Sequence, residues 1–326
     1  MTLDVENRLD PRPPAKFENP DWTAKGERRA AVALDRLATL WINTGTLCNI
    51  TCQNCYIESS PENDRLAYID VAETGPFLEE ARMLGTREIG FTGGEPFMNP
   101  GVLQILEETL SRGFDVLVLT NAMLPMQRPR LKQGLLALNA KYPDKLTMRV
   151  SLDHYGEVLH EKERGADTWE KALAGVDWLS SSGFRLAIAG RTCWHEDDTA
   201  MRQGFAGLIA AHGWPIDPQN HQQLILFPEM DGRFNVPEIT TACWGILKKS
   251  PSQMMCASSR MIVKRKGAAA PVVLPCTLLP YDTAFEMGPT LAAAAQADGG
   301  MFDEGAVKLC HPHCAKFCVL GGGSCS

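Results

Sequence analysis

No run of about 20 apolar residues is present to span a bilayer. The opening residues MTLDVENRLDPRPP lack the basic-then-apolar order of a secretion signal. These absences lead to the expectation of a cytoplasmic protein with no membrane partner. Positive charge is not in excess either. Lys plus Arg number 32 against 39 Asp plus Glu, a net charge of -7, which argues against a dedicated nucleic-acid binder. The basic run Lys264-Arg265-Lys266 is too short to reverse that balance and reads as a solvated hairpin tip beside Gly267. There are no internal repeats, and no low-complexity tract beyond Ala292 to Ala295.

Cysteine, in contrast, is plentiful. Eleven cysteines in a reducing compartment argue for metal ligation over disulfides. Cys48, Cys52 and Cys55 stand in LCNITCQNCY with the spacing C-x3-C-x2-C. Such a tight trio suits a loop around a cubane [4Fe-4S] cluster, whose corner irons each take one sulfur ligand. One iron is then unclaimed by the protein, and an open coordination position marks a catalytic metal site. The competing readings are a zinc site or a chance grouping of thiols. Zinc sites more often use paired C-x2-C units separated by a longer stretch.

Gly93-Gly94-Glu95-Pro96 follows in the same N-terminal third. A Gly-Gly before Pro marks a turn and little else on its own. Here it directly follows Ile89-Gly90-Phe91-Thr92, a short buried strand, so the glycines sit where backbone must approach a ligand.

Together these motifs resemble those of the radical S-adenosylmethionine (radical SAM) superfamily, and the resemblance takes in most of the chain. It implies that the open iron chelates the amino and carboxylate groups of S-adenosylmethionine. One electron then breaks a carbon-sulfur bond of that cosubstrate, and a 5'-deoxyadenosyl radical abstracts hydrogen from the substrate, with net oxidation or rearrangement. By the same resemblance Glu95 holds the cosubstrate's amino group, with Gly93, Gly94 and Pro96 beside it. The position before the third cysteine, often aromatic in the family, is Asn54 here, and Tyr56 follows just after. A one-electron reductant such as flavodoxin or ferredoxin is the implied partner.

Length allows one large barrel-like domain with a small addition, or two modest domains. From Asp35 onward strand-like and helix-like pieces alternate in the rhythm of an α/β fold with a parallel sheet. Strands are expected at 38–43, 89–92, 115–119, 146–152, 185–189 and 223–227. Helices are expected at 71–84, after the Gly-Gly motif with Val102, Ile105, Leu106 and Thr109 inward, at 130–141, after a Thr168 cap with Trp169, Leu173, Val176 and Leu179 on one face, and at 201–212. The resemblance implies a partial (β/α)6 barrel over residues 35–240. An arm of residues 1–34 precedes it, and a cysteine-rich extension of residues 241–326 follows.

Chemistry in parallel β/α barrels gathers at the carboxyl ends of the strands. Thr120 and Asn121 end strand three, Ser151 and Asp153 end strand four, and Arg164 closes the same segment, where it can pair bidentately with a carboxylate. The family pattern makes Asn121, Ser151, Asp153 and Arg164 cosubstrate contacts. The plain alternative is that they are caps and turns. His154 and His160 invite a role, yet a lone histidine in a polar loop is more often merely hydrogen-bonded. Cys243 reads as a small apolar residue, and Cys193, just past strand five, is a candidate hydrogen donor.

Six cysteines fall in the last 71 residues. Cys256 and Cys276 flank two β-prone runs joined by a Lys-Gly turn, a hairpin with one thiol at each foot. Cys310, Cys314 and Cys318 recur every four residues, which would put them on one helical face, and Cys325 follows a triple-glycine loop. The arrangement resembles the auxiliary-cluster extensions called twitch and SPASM, though its first gap is longer and the C-x2-C pair is missing. The expectation is one auxiliary [4Fe-4S] cluster held by Cys256, Cys276, Cys314 and Cys318, with Cys310 and Cys325 as competitors. A zinc knuckle using His311 and His313 is the alternative. The arm is too short for the separate peptide-binding domain of some peptide-modifying relatives, so a small-molecule substrate is favoured over a peptide.

Overall fold

The computed structural model describes residues 15–192, 194–228, 235–296 and 300–321. Cys193, the candidate hydrogen donor, and Cys325, a competing thiol, lie outside them. A short strand β1 (Ala31–Val32) comes first. Six strands follow: β2 (Thr39–Asn43), β3 (Glu88–Thr92), β4 (Asp115–Thr120), β5 (Leu146–Ser151), β6 (Arg185–Thr192) and β7 (Leu224–Pro228). Helices α1 (Val71–Met83), α2 (Val102–Ser111), α3 (Leu124–Gln127), α4 (Pro129–Lys141), α5 (Glu157–Arg164), α6 (Trp169–Ser181) and α7 (Asp198–His212) fall between them. The expected alternation is therefore met.

The sheet does not end with these six strands. Its order is β7-β6-β5-β4-β3-β2-β8-β9, with β8 (Ser259–Val263) parallel to β2 and β9 (Val272–Leu274) antiparallel to β8. The hairpin of the cysteine-rich segment thus joins the barrel sheet directly, pairing Leu40 with Arg260 and Trp41 with Met261. Sequence alone hides this, because the pairing partners lie about 220 residues apart. A last short strand, β10 (Val307–Lys308), pairs antiparallel with β1. The basic run at the hairpin is not a free tip. Lys264 pairs with Glu73, Arg265 with Glu286 at 2.6 Å and Lys266 with Asp64 at 2.5 Å.

All of β2 is buried, as a parallel strand covered on both faces requires. Trp41 packs in one buried cluster with Leu117, Met261, Val263 and Leu274. It needs Gly90 on the next strand, since a Cβ there would stand 2.3 Å from the indole ring. This apolar plug sits one step before the strand ends and leaves the carboxyl-end mouth open above it. On the outside, helices α1, α2, α4, α6 and α7 bury Leu78, Ile105, Leu106, Leu135, Val176 and Phe205 against the sheet, each contributing about 1.5–3 kcal/mol by removal from water.

Local signals set the helix ends. Asp70 and Glu73 form a reciprocal capping box on α1, and α7 starts under Asp197 and stops at Gly213 in the left-handed region. At α6 the expected Thr168 cap is replaced. Its hydroxyl donates to the Gly165 carbonyl, and the Glu161 carboxylate accepts from the Thr168 and Trp169 amides at 2.9 and 3.2 Å. The described part of the arm packs against the C-terminal segment. Buried Arg29 donates to Glu238 at 2.5 Å and to the Leu309 carbonyl at 3.2 Å. Among the described residues no helix is long and apolar enough to cross a membrane.

Candidate active site

The cysteine trio lies on the loop leaving β2, and the Gly-Gly motif lies at the end of β3, its parallel neighbour. The two chain segments are joined by main-chain hydrogen bonds, with the Thr44 hydroxyl donating to the Thr92 carbonyl beside them. The Gly94 amide donates to the Gly45 carbonyl at 2.8 Å and the Glu95 amide to the Leu47 carbonyl at 3.1 Å. A Cβ on Gly93 would stand 2.4 Å from the Gly45 oxygen, and one on Gly94 2.1 Å from the Leu47 oxygen. Gly93 also has a φ of 141°, which side-chain-bearing residues rarely adopt. The motif is therefore glycine because the cysteine loop lies directly on it.

Glu95 is fully buried and points across the sheet. Its carboxylate accepts from Thr120 Oγ1 and the Asn121 amide, both at 2.8 Å, and from the Phe97 amide at 3.3 Å. Burial pushes its carboxyl up to about 7 despite these donors. Asn121 in turn donates from Nδ2 to Asn49 at 2.9 Å and lies 3.9 Å from the Cys48 sulfur. The carboxylate thus ties the end of β3 to the end of β4 under the cysteine loop.

The far side of the loop is anchored on α5. Glu163 accepts from the Asn54 amide and side chain at 2.9 and 2.8 Å, and its carbonyl accepts from the Gln53 amide. Asn54, the residue at the usually aromatic position, therefore acts as a clasp. Asp153 is clamped between Arg164 at 2.8 Å and Arg191 at 3.1 Å. Burial opposes its charge, but the two guanidiniums outweigh that and hold the carboxyl below its usual range. The bidentate arginine pairing expected of Arg164 is thus made within the chain. His160 is wholly buried against Trp169, where burial lowers its pKa to about 4. His154 is bonded to Glu196 at 2.7 Å.

Two cavities share this mouth. One, of about 680 Å³, is walled by Cys48, Cys52, Cys55, Gly93, Gly94, Thr120, Asn121 and Ser151. The other, of about 830 Å³, has Asp153, Arg149, Phe227, Met255, Leu278, Phe317 and Cys318 in its walls. Tyr56, Leu119, Ser151, Arg164 and Arg191 line both. Neither Glu95 nor Pro96 is a wall of the first. Arg191 is the main wall residue that sequence reasoning missed. It falls two residues beyond Ala189, where the strand was ended, on the same face of the strand by its two-residue period.

Burial raises the Cys48 thiol to about 12 and the Cys52 thiol to about 11. Bare thiols here are protonated, so iron binding must expel protons. Three sulfur donors facing one cavity, with no carboxylate among its walls, suit iron-sulfur ligation.

Residues 42–196 match the family model of the Radical SAM superfamily. The chain carries a radical SAM domain. Among curated proteins it is 28% identical over 193 residues to the antilisterial bacteriocin subtilosin biosynthesis protein AlbA of Bacillus subtilis, covering 56% of this chain and 40% of that protein. It is 29% identical over 151 residues to GTP 3',8-cyclase of Microcystis aeruginosa, covering 42% of each. The match spans less than half the length of either relative. Among solved structures, Streptococcus suis SuiB bound to precursor peptide SuiA shares the fold with a TM-score of 0.58 at 13% identity, covering 84% of this chain and 66% of that one.

Behind the radical SAM domain the C-terminal thiols gather around a second enclosed space. Cys256, Cys276, Cys314 and Cys318 line a narrow pocket with Met254, Met255, Leu278, Leu279, Val307 and Leu309. Cys256 stands in a short turn before β8, and Cys276 follows β9. Cys314 opens a π-helical segment, Cys314–Leu320, that carries Cys318. Cys310 lies ahead of that helix, so the three evenly spaced cysteines do not share one helical face. It is not a wall of the thiol cavity. Burial pushes Cys256 up to about 11, and raises Cys276 and Cys314 well above the usual value.

His311 and His313 do not line the space either. The His313 amide donates to His311, and His313 Nδ1 lies 3.2 Å from the Leu278 carbonyl. Among the described residues no three His, Cys, Asp or Glu side chains converge as a single metal ion requires. Around a cubane each thiol takes a separate iron, so the thiols stand farther apart. Cys318 alone of the four also lines the 830 Å³ cavity.

Proposed function

We propose that this chain is a radical SAM enzyme that abstracts hydrogen from a substrate held in the cavity between its two thiol groups. The observation that carries the reading is the shared wall. Tyr56, Leu119, Ser151, Arg164 and Arg191 border both the space beside Cys48, Cys52 and Cys55 and the space that reaches Cys318. When bound at the N-terminal trio, a [4Fe-4S] cluster supplies the electron that cleaves S-adenosylmethionine to a 5'-deoxyadenosyl radical.

The chain's own residues do the rest. Cys48, Cys52 and Cys55 would hold the cluster, and Gly93 and Gly94 wall the same cavity for the cosubstrate. Asn121 and Ser151 present donors at the strand ends and Arg164 at the end of α5, with Tyr56 beside them. The lumen holds the reacting carbon near the radical, and a bound substrate displaces water from it. Cys256, Cys276, Cys314 and Cys318 would hold one auxiliary [4Fe-4S] cluster. No histidine lines that space, and among the described residues no three donors converge on one point as a zinc ion needs, which favours this over the zinc alternative.

The test is 5'-deoxyadenosine release from anaerobically reconstituted protein with dithionite and S-adenosylmethionine. The Cys52→Ala protein is expected to lose it, and undiminished release would overturn the assignment. A non-catalytic iron-sulfur protein is separated by electron paramagnetic resonance. The spectrum of the reduced protein changes on adding S-adenosylmethionine only if one iron is exchangeable.

The substrate is proposed as a small molecule. A peptide is the second reading, favoured by the bacteriocin-biosynthesis name of AlbA and the precursor peptide bound to SuiB. A reductant such as flavodoxin or ferredoxin completes the cycle.

A further inference from the structure

Arg260 is among the largest wholly buried side chains of the described residues. Its position is unusual in charge. The buried arginines Arg29, Arg164 and Arg202, and the partly buried Arg191, face a carboxylate. Among the described residues no carboxylate pairs with Arg260. Its guanidinium donates to three backbone carbonyls, of Cys256 at 2.5 Å, Ser259 at 2.7 Å and Met301 at 3.1 Å, and its Nε has no partner. A buried cation without a counter-charge is strongly unfavourable. Three carbonyl dipoles satisfy part of the guanidinium and leave its net charge unbalanced among the described residues.

The guanidinium is bonded at 2.5 Å to the main chain of Cys256, and the side chains that act on it electrostatically once deprotonated are Cys256 and Cys276. Both line the cavity proposed above for an auxiliary cluster. Four thiolates around an oxidised cubane core leave a net anion, and each added electron makes it more negative. Cluster potentials follow net charge and nearby hydrogen bonds.

We infer that Arg260 is the counter-charge of the auxiliary cluster and sets its reduction potential, a role that rests on the cluster reading of Cys256, Cys276, Cys314 and Cys318. Arg260 touches neither substrate nor cosubstrate and is a positioning residue. It clasps the Cys256 carbonyl so that its charge stays fixed beside the ligand. The one-electron step it biases is reduction of the oxidised cluster by the external reductant, with no bond made or broken in the chain.

The experiment is a redox titration followed by electron paramagnetic resonance in a full-length Cys48→Ala, Cys52→Ala, Cys55→Ala background, which leaves only the second thiol group. Iron and sulfide are counted first. A parent protein without about four of each would overturn the auxiliary-cluster reading itself, before Arg260 is changed. In a loaded parent, Arg260→Met is expected to shift the reduction equilibrium at least about tenfold toward the oxidised form, which is about 59 mV more negative for one electron. Arg260→Lys keeps the charge and is expected within about threefold of the parent. Arg260→Gln, a polar neutral replacement, serves in the same titration if the methionine variant does not accumulate. A neutral variant with full iron and an unchanged potential would overturn the role. So would a lysine variant shifted as far as the neutral one, because hydrogen bonds and not charge would then be responsible.

Discussion

Replacing Gly94 by alanine tests whether backbone contact between the cysteine loop and the end of β3 builds the site. The new Cβ would stand 2.1 Å from the Leu47 oxygen, 2.5 Å from the Leu47 carbonyl carbon and 2.7 Å from the Thr46 oxygen. Every one of these is main chain, so no rotamer change relieves the clash and the loop itself must move. Overpacking of this kind costs about 1–3 kcal/mol. Moving the loop also stretches the Gly94-to-Gly45 and Glu95-to-Leu47 hydrogen bonds, each contributing about 1 kcal/mol. The expected loss is therefore about 3–5 kcal/mol. The control is Gly207→Ala on α7, an exposed helix-interior position where an added Cβ meets nothing within 4 Å and the change is expected to stabilise by about 1 kcal/mol. Anaerobic denaturant unfolding measures both, and iron bound per chain in the C-terminal-thiol-free background measures the loop. Gly94→Ala with wild-type stability and wild-type iron at the N-terminal trio would refute the close-contact argument.

Asp153→Asn leaves Arg164 and Arg191 buried against a neutral group, and about 3–5 kcal/mol of stability is expected to go. Because the folded Asp153 pKa is depressed, this contribution is full above the unfolded value of about 3.9 and fades as pH falls through the lower folded one. The difference between wild type and variant in unfolding experiments should accordingly shrink below about pH 4, and a constant gap would count against the pairing. At the second thiol group, Cys314→Ser should lower bound iron and sulfide by one cluster, whereas Cys310→Ser should leave both unchanged. Equal losses in elemental analysis would return Cys310 to the ligand set.

Much of the barrel was legible because its signals are local. Buried parallel strands read as apolar runs, and helices carry caps such as Asp70 and Asp197. The trio of Cys48, Cys52 and Cys55 was legible because one short loop holds it all. What escaped is what depends on distant segments meeting. Glu163 clasps Asn54 from 109 residues away, and nothing in either neighbourhood announces it. Glu95 reads as a ligand-facing carboxylate from its motif, yet in the fold it braces Thr120 and Asn121. The regular spacing of Cys310, Cys314 and Cys318 suggested one helical face. The chain begins its helical turn only after His311, and its π-type pitch carries Cys314 and Cys318 but leaves Cys310 outside.

The pairing of β8 with β2 links the two thiol groups mechanically. Asn43 ends β2 only five residues before Cys48, and Cys256 precedes Ser259, the first residue of β8, by three. Trp41 pairs in register with Met261. A slip of this register would turn the lumen faces of both strands outward, expelling Trp41 and Met261 from the buried plug. The distance between the two groups is therefore set by backbone hydrogen bonds within one sheet, with no flexible linker between them. Arg260 lies on that same strand, opposite Leu40. Its side chain alternates to the face away from Trp41, so one strand contributes Met261 to the buried plug and Arg260 to the opposite face. A substrate between the two groups would meet both across a fixed gap, and the chemistry at one would be felt at the other without any domain movement.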